Sequence, residues 1–600
     1  MRMALEGTFE TLDGETLFYR YWPAESTGWR GAIVLFHRGH EHSGRVAHLV
    51  EELDLPEFAF FAWDARGHGR SAGVRGDSPS VARSVEDIQA FVDHIGAKHG
   101  VATENIAVVG QSLSAVLLAA WAHDYAPRVR AMVLAAPAFR VKLYVPWARP
   151  LLRLLHRVRG NFFVTSYVKA RFLTHDALRI ASFESDALIT RSISVRVLLG
   201  LCDLAKRIVA DAEAITVATQ VLISGCDWVV DASPQHDFYE RLGALTKERH
   251  VFEGFYHDTL GEKDRQPALN QVRSFLLKVY DASPERPSLC DADRRGFTRR
   301  EADALARPLA KLSWRGLCWG AVGWVLKVGS QLSHGIRLGA ATGFDSGSSL
   351  DYVCRNEAQG ATALGRWVDR LYLDSIGWRG IRQRKRNVQS LLQETIDRVR
   401  QQGLPARIVD IAAGSGRYVL DALDGCSPPE TVELRDYSDA SVASARALIR
   451  QRGFEAFTSV LKADAFDVGG LSARKGRFTI GVVSGLYELY ADNDQVRRSL
   501  HGLSAAIEPG GYLIYTGQPW HPQLQLIARA LTSHRQGRPW IMRRRTQAEL
   551  DQLIGAAGFL KISERIDEWG MFTVSLARRI SMGARTQAAS WPVQRLGVGS

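Results

Sequence analysis

A chain of 600 residues is too long for one hydrophobic core and divides into roughly two to four domains. With 46% hydrophobic and 23% charged residues it is neither a disordered nor a membrane-spanning composition, and no run reaches the roughly 18 uncharged apolar residues of a transmembrane helix. The net charge of +12 admits an anionic partner, while six scattered cysteines with no CxxC and no histidine cluster argue against structural zinc and for a reducing compartment.

The chain opens with MRMALEGTFETLDGETLFYRYW, a strand hairpin turning at Asp13-Gly14 that leaves no room for a signal-peptide core. AIVLFH, FAFFAWD, IAVVG, AMVLAAP, TVATQVLISG and ERHVFEG then read as buried strands of a mostly parallel sheet, an α/β domain over residues 1–280. From about 138 to 204 the pattern turns helical and basic, an insertion placed where a cap over an active site belongs. Within it Leu151, Leu154, Leu155 and Val158 form an apolar face beside Arg149, Arg153, Arg157 and Arg159. That helix is either a lid resting on anionic lipid or a cap packed on its own domain. Residues 281–345 form a basic connector that becomes Trp- and Gly-rich; LCWGAVGWVLKVG, broken by Lys327, suits lying on a membrane but not crossing it. A helical lead-in follows from about 345. From 405 a second α/β alternation runs through RIVDIA, TVELRDY, VLKADAFD, FTIGVVSG and GYLIYTGQ, with FTVSLARRI as an edge strand, giving a second domain over 346–580. The Gly/Ser/Gln-rich tail, 581–600, reads as disordered.

The first domain carries the parts of an acyl-transfer site. IAVVGQSLSAVLLAAW is a strand, a turn and a helix with Ser112 at the turn. Asp227 follows the strand VLISG, and His257 follows ERHVFEG, so the order is serine, acid, histidine. The N–H of Leu113 and that of Gly39, in the loop HRGHEHSGR, are the candidate oxyanion donors. HRGHEHSGR resembles the HGxGEHSGR loop of monoglyceride-lipase-like α/β-hydrolases, AWDARGHGRSAG resembles their DxRGHGxSxG loop, and SGCDWVV and GFYHDTLGE resemble their acid and histidine segments. The resemblance spans roughly residues 8–280 and implies an α/β-hydrolase fold with a helical cap and an ester hydrolase working through Ser112. Two departures stand out: Gly-Gln-Ser-Leu-Ser replaces Gly-x-Ser-x-Gly, putting Ser114 and Ala115 in place of small glycines, and Arg38 stands at the loop's first glycine. A catalytically silent module that presents substrate to the second domain is the alternative.

In RIVDIAAGSGRYVLDAL, Asp410 ends a strand, and Ala412, Gly414 and Gly416 lie in the turn; Asp436 is spaced to accept ribose hydroxyls, and Asp464 and Ala465 in KADAFD to meet an adenine edge. A glycine turn alone also fits nicotinamide enzymes. The acid ending the strand, KADAFD and IEPGGYLIYTG together resemble class I methyltransferases over about 345–580, including a methyltransferase family fused behind such hydrolases. This implies a Rossmann-like fold and S-adenosyl-L-methionine as cofactor, with Ala412 departing from the usual glycine. SGLYELYADND is not the Asn-Pro-Pro-Tyr loop of enzymes methylating nucleobase amines. Tyr487, Glu488, Gln518, Trp520 and His521 are candidate acceptor contacts, His521 either as general base or as a loop residue. Arg379, Arg382, Arg384, Lys385 and Arg386, and Arg543, Arg544 and Arg545, either hold a substrate anion or are solvated helix faces. The expectation is two fused enzymes without a metal, cytoplasmic or peripheral at the membrane. Their expected partners are small-molecule or lipid-like substrates and, by charge, an anionic membrane surface. No nucleic acid is expected, since no exposed aromatic sheet or known module accompanies the charge; the oligomeric state stays open.

Overall fold

Apolar runs that are buried at every position need cover on both faces, and both halves of the chain meet that need with helices on either side of a largely parallel sheet. The computed structural model describes residues 2–580 except 27, 146, 167, 311 and 536, so the expected disordered tail lies outside the described residues. The chain forms two compact units, Met1–Pro287 and Ser288–Ser600.

In the first unit β1 (Leu5–Glu10) and β2 (Thr16–Trp22) form the N-terminal hairpin, followed by β3 (Gly31–Phe36), β4 (Phe58–Trp63), β5 (Ile106–Gln111) and β6 (Ala131–Ala135). β7 (Phe163–Thr165) and β8 (Ser192–Ser194) pair with each other inside the insertion, and β9 (Thr219–Ser224) and β10 (Lys247–Phe252) complete the sheet. Its order is β1-β2-β4-β3-β5-β6-β9-β10, parallel from β4 onward. The Val81–His99 helix covers one face through Phe91, which stacks on Phe9 and Trp63 at 4.9 and 5.8 Å between ring centres. The Ala148–Arg159 helix of the insertion buries none of its residues; Leu154 is 59% and Val158 78% exposed. Its apolar face is therefore open to solvent, while Arg153 pairs with Asp203 of the Val195–Ala210 helix.

The second unit has β11 (Arg407–Ile411), β12 (Thr431–Asp436), β13 (Thr458–Lys462), β14 (Phe478–Val483), β15 (Ile507–Gly517), β16 (Phe559–Ile566) and β17 (Thr573–Arg579). They are ordered β13-β12-β11-β14-β15-β17-β16, and β17 runs antiparallel to both neighbours. FTVSLARRI is thus not an edge strand: it lies between β15 and β16, buried from Thr573 to Ala577. The true edge, FLKISERI, mixes charges into a weak alternation and carries no clear strand signal.

The expected connector 281–345 does not stand apart from the two units. From Ser288 it is built into the second as helices, among them Phe297–Ala306, Trp314–Leu332 and His334–Thr342. Asp369, wholly buried on the Ala363–Leu373 helix, anchors this layer. It accepts hydrogen bonds from the amides of Gly335 and Gln359 at 2.8 Å and from the hydroxyls of Ser333 and Tyr352. Burial alone would raise its pKa, but these donors outweigh burial and hold the carboxyl below its ordinary value. No helix among the described residues is long and apolar enough to cross a membrane.

The turns after β5 and β11 each hold a non-glycine residue in the left-handed region, Ser112 at φ 57° and Ala412 at φ 55°. Left-handed backbone costs an alanine about 1–2 kcal/mol, against about 0.5–1 kcal/mol for the added freedom of a glycine in the unfolded chain. Ala412→Gly is therefore expected to stabilise the second unit by up to about 1 kcal/mol, read as a higher urea midpoint. Asp369→Asn is expected to cost about 2–3 kcal/mol at neutral pH. Because the folded carboxyl has the lower pKa, its stabilisation is present above the ordinary value of 3.8 and lost as pH falls through the folded value. Urea unfolding at stepped pH should show wild type and variant converging only in that acid range.

Candidate active sites

At the end of β5 strand and helix run so close that a Cβ on Gly110 would lie 2.5 Å from Leu118 Cδ1. Ser112, at φ 57° and ψ −116°, caps the Leu113–Asp124 helix and projects its side chain from the carboxyl edge of the sheet. His257, in the loop after β10, brings Nε2 to 2.7 Å from Ser112 Oγ. Its Nδ1 lies 2.7 Å from Oδ2 of Asp227, in the loop after β9. A carboxylate only accepts, so Nδ1 carries the proton and Nε2 is left to accept from the serine hydroxyl. Asp227 Oδ1 accepts from the amides of Val229 and Val230 at 2.7 and 2.9 Å. Burial opposes the Asp227 charge, but His257 and these amides outweigh it and hold the carboxyl below its ordinary value. Gly39 faces the first turn of the helix: a Cβ there would stand 3.7 Å from the Leu113 side chain. Among the described residues neither the Gly39 nor the Leu113 amide donates a hydrogen bond, which leaves both for an oxyanion.

Two departures from the family pattern, Ser114 and Arg38, have structural partners. Buried Ser114 donates its hydroxyl to the His37 carbonyl and so ties the helix to the oxyanion loop. Arg38 is buried, forks onto Glu41 at 3.0 and 2.6 Å, and lies 3.3 Å from Asp258. Asp258 also accepts from Gln111 at 2.8 Å and from Arg179 at 3.1 and 3.2 Å. Burial opposes its charge, yet Arg38 and Arg179 hold this carboxyl far below its ordinary value. Gln111 and Asp258 adjoin Ser112 and His257 in the chain, so one buried network clamps the nucleophile turn, the histidine loop and the oxyanion loop. His40 stands at the second glycine of HGxGEHSGR and adopts φ 72° in its place.

In the second unit β11 lies between β12 and β14, the point where strand order reverses and where sheets of this kind open a crevice at their carboxyl edge. Asp410 is wholly buried there; Tyr418 Oη donates to its Oδ1 at 2.7 Å, and Oδ2 has no partner. Burial raises its pKa well above the ordinary value against that hydrogen bond, and the Asp436 charge adds to the rise. Asp436 holds the turn: Oδ2 accepts from Gly414 N–H and Oδ1 from Ser438 N–H, both at 2.9 Å. Its carbonyl accepts from Ala463 N–H at 2.9 Å, which places Asp464 on the same edge, exposed, and Ala465 half-buried beside it. The glycines differ in purpose. A Cβ on Gly416 would strike Leu434 Cδ1 at 2.4 Å, whereas one on Gly414 would meet nothing within 4 Å. Open space before Gly414, lone pairs remaining on Asp436 and an orphan oxygen on Asp410 fit a nucleoside in this crevice.

A cavity of about 340 Å³ lies within the same unit, with residues from the loops after β14 and β15 in its wall. Glu488, Gln518, His521 and Arg384 line it together with aromatic and aliphatic side chains. Glu488 Oε1 accepts from Thr516 at 2.9 Å and Arg384 at 3.3 Å, while Glu488 Oε2 and Gln518 Nε2 have no partner. His521 Nδ1 accepts from Gln523 N–H at 3.1 Å, and burial lowers its pKa to about 4. It is therefore neutral with its proton on Nε2, a donor toward its surroundings rather than the general base its position suggested. Tyr487 is not an acceptor contact: it is buried in the core with its hydroxyl on Ser499 at 3.1 Å. Trp520 lies outside the cavity wall.

The basic runs serve the fold. Arg543 pairs with Glu549 and Arg544 with Glu301, both at 2.6 Å, and Arg545 donates to Asn493 at 2.8 Å. Lys385 pairs with Asp421 at 2.7 Å and Arg382 donates to the Leu373 carbonyl at 2.9 Å, leaving Arg384 as the member of its run that reaches the cavity. Tyr418 and the Arg38–Asp258 network carried no motif signal; Asp258 lies far along the chain from both Arg38 and Arg179. Among the described residues no group of three or more His, Cys, Asp or Glu is placed to hold a metal ion.

Comparison with known proteins agrees with this two-part layout. A family profile described as "Serine aminopeptidase, S33" matches residues 28–264, and one described as "Putative methyltransferase" matches residues 272–579, half of the chain. An Escherichia coli (strain K12) protein, "Uncharacterized protein YnbC", is 52% identical over 578 residues, covering 96% of this chain and 99% of its own length. A monoacylglycerol lipase of Mycolicibacterium smegmatis is 24% identical over 276 residues, 45% of this chain and 96% of that protein. The crystal structure of Paleococcus ferrophilus monoacylglycerol lipase aligns with 46% of this chain and 99% of its own, at 22% identity and a TM-score of 0.39. The chain belongs to the family described as "Putative methyltransferase", here fused behind a monoglyceride-lipase-like α/β-hydrolase domain.

Proposed function

We propose that the protein is a bifunctional enzyme, a serine ester hydrolase joined to an S-adenosylmethionine-dependent methyltransferase acting on lipid-like or acyl substrates. The observation that carries the hydrolase reading is the hydrogen-bonded line from Ser112 through His257 to Asp227. Ser112 Oγ attacks the ester carbonyl as its proton passes to His257 Nε2, and Asp227 holds the imidazole in register and stabilises its charged form. The Gly39 and Leu113 amides receive the oxyanion. His257 then returns the proton to the leaving alcohol, and water repeats the sequence to free Ser112. The exposed apolar face of the Ala148–Arg159 helix, flanked by arginines, supports a lipid-like substrate met at an anionic surface.

In the second unit Asp436 and Gly414 are the residues to hold the ribose of S-adenosylmethionine, with Asp464 and Ala465 at the adenine edge. When bound, that cofactor supplies an electrophilic methyl group. The chain's own contribution is to position the acceptor and exclude water around it.

A serine-directed fluorophosphonate is expected to label the protein, and Ser112→Ala to abolish both the label and at least about 10³-fold of the hydrolysis of a p-nitrophenyl ester. A folded wild-type chain that takes no label would make the first unit a binding module. Asp436→Ala is expected to weaken S-adenosylmethionine binding by roughly 10- to 100-fold, the worth of hydrogen bonds to a charged group. Equilibrium dialysis reads that loss, and a wild-type chain that binds none would remove the cofactor assignment.

A further inference from the structure

We infer that the cavity of the second unit binds a single-chain aliphatic alcohol, with its hydroxyl between Glu488 and Gln518. As methyl acceptor this ligand rests on the methyltransferase reading above; as a bound ligand it does not.

The polar groups of the cavity select the head group. Glu488 Oε2 is a buried acceptor with no donor, and Gln518 Nε2 a buried donor with no acceptor. His521 adds a second donor at Nε2, since its Nδ1 already accepts from Gln523. The bound group must therefore give one hydrogen bond and take one or two. An ammonium group only gives. A carboxylate only takes, and it would face the open oxygen of Glu488. A hydroxyl does both. Arg384 lies 3.3 Å from Glu488 Oε1, so Oε2 is the oxygen left to accept.

The rest of the wall selects the tail. Phe344, Leu350, Tyr372, Ile381, Leu531 and Phe572 present apolar surface, and 340 Å³ is near the lower end for small-molecule sites, room for one chain. The wall also takes in Leu326 of the Trp314–Leu332 helix and Val368 and Leu371 of the Ala363–Leu373 helix. These two helices are apolar and open on their outer side: Gly329 is the one residue buried on the first, Trp324 is 67% exposed, and on the second Trp367 is 60% and Leu371 53% exposed. Leu371 thus belongs to both the cavity wall and the exposed apolar surface, the side from which an aliphatic chain would enter. In the transfer itself the hydroxyl oxygen forms the new C–O bond as the C–S bond of the methyl sulfonium donor breaks. The hydroxyl proton goes to Glu488 Oε2.

The test is equilibrium dialysis of tritiated 1-dodecanol against the full chain below the alcohol's aggregation limit. One molecule is expected per chain, with dodecanoate and dodecylamine each about tenfold weaker as competitors. Val368→Trp, or Ile381→Trp should the first lose its thermal transition, fills the cavity and is expected to weaken dodecanol at least about tenfold. S-adenosylmethionine binding should be unchanged by either. Glu488→Gln is expected to erase the preference for dodecanol over dodecanoate. Unchanged dodecanol binding in both folded cavity-filling variants, or dodecanoate binding as well as dodecanol, would overturn the inference. Dodecanol binding by a chain that does not bind S-adenosylmethionine would leave the ligand site standing and remove the methyltransferase reading alone.

Discussion

Both units depend on a parallel strand, buried on both faces, that must turn at once into a helix at the carboxyl edge of its sheet. The strand's burial fixes where the turn occurs, because the helix has to pack back on the same sheet. It leaves no room for an ordinary loop, so the backbone passes through the left-handed region. At Ser112 that conformation lifts a hydroxyl clear of the edge; at Ala412 it begins the turn that ends in open space before Gly414. Different chemistry follows from what stands next to the strain. Beside Ser112 two further loops deliver an imidazole and a carboxylate, whereas beside Gly414 the neighbouring strand delivers Asp436.

The first site shows how a fold absorbs substitutions at positions where small residues are usual. Ser114 needs a partner once buried, and the His37 carbonyl supplies one. Arg38 brings a charge into a dry region, which is costly unless it is paired and fully hydrogen-bonded. Glu41 and Asp258 provide the pairing, and Asp258 is in turn held by Gln111 and Arg179. Removing either carboxylate would leave the buried Arg38 guanidinium with only part of its pairing. The loop that offers Gly39 is held by charge pairing in place of the conformational freedom glycines would give it.

What the chain reveals before folding follows the range of the interactions. The two strand–turn–helix segments are legible because their signal is local: an apolar run, a turn residue and a helical period within about fifteen residues. The triad acid and base are legible because each directly follows a buried strand. Asp258 and Arg179 are not, since they meet each other and Arg38 only across long stretches of chain. His521 marks the boundary. Its place after β15 is readable, but its protonation is set by burial and by the Gln523 amide, which no spacing encodes. The order of β16 and β17 is hidden for a similar reason: the buried strand is the later one, and its burial comes from β15 rather than from its neighbours in sequence.

The charge excess illustrates the same point from the surface side. A net charge of +12 invites a reading as an anion-binding footprint. Yet the densest basic run of the second unit, Arg543 to Arg545, is buried among Glu549, Glu301 and Asn493, and Arg66 in the first unit is buried against Asp87 and Asp13. Arginine suits this work because its planar fork satisfies a carboxylate at both oxygens and stays charged when buried. On the Ala148–Arg159 helix, by contrast, Arg153 and Arg157 face solvent among the exposed Leu151, Leu154 and Leu155.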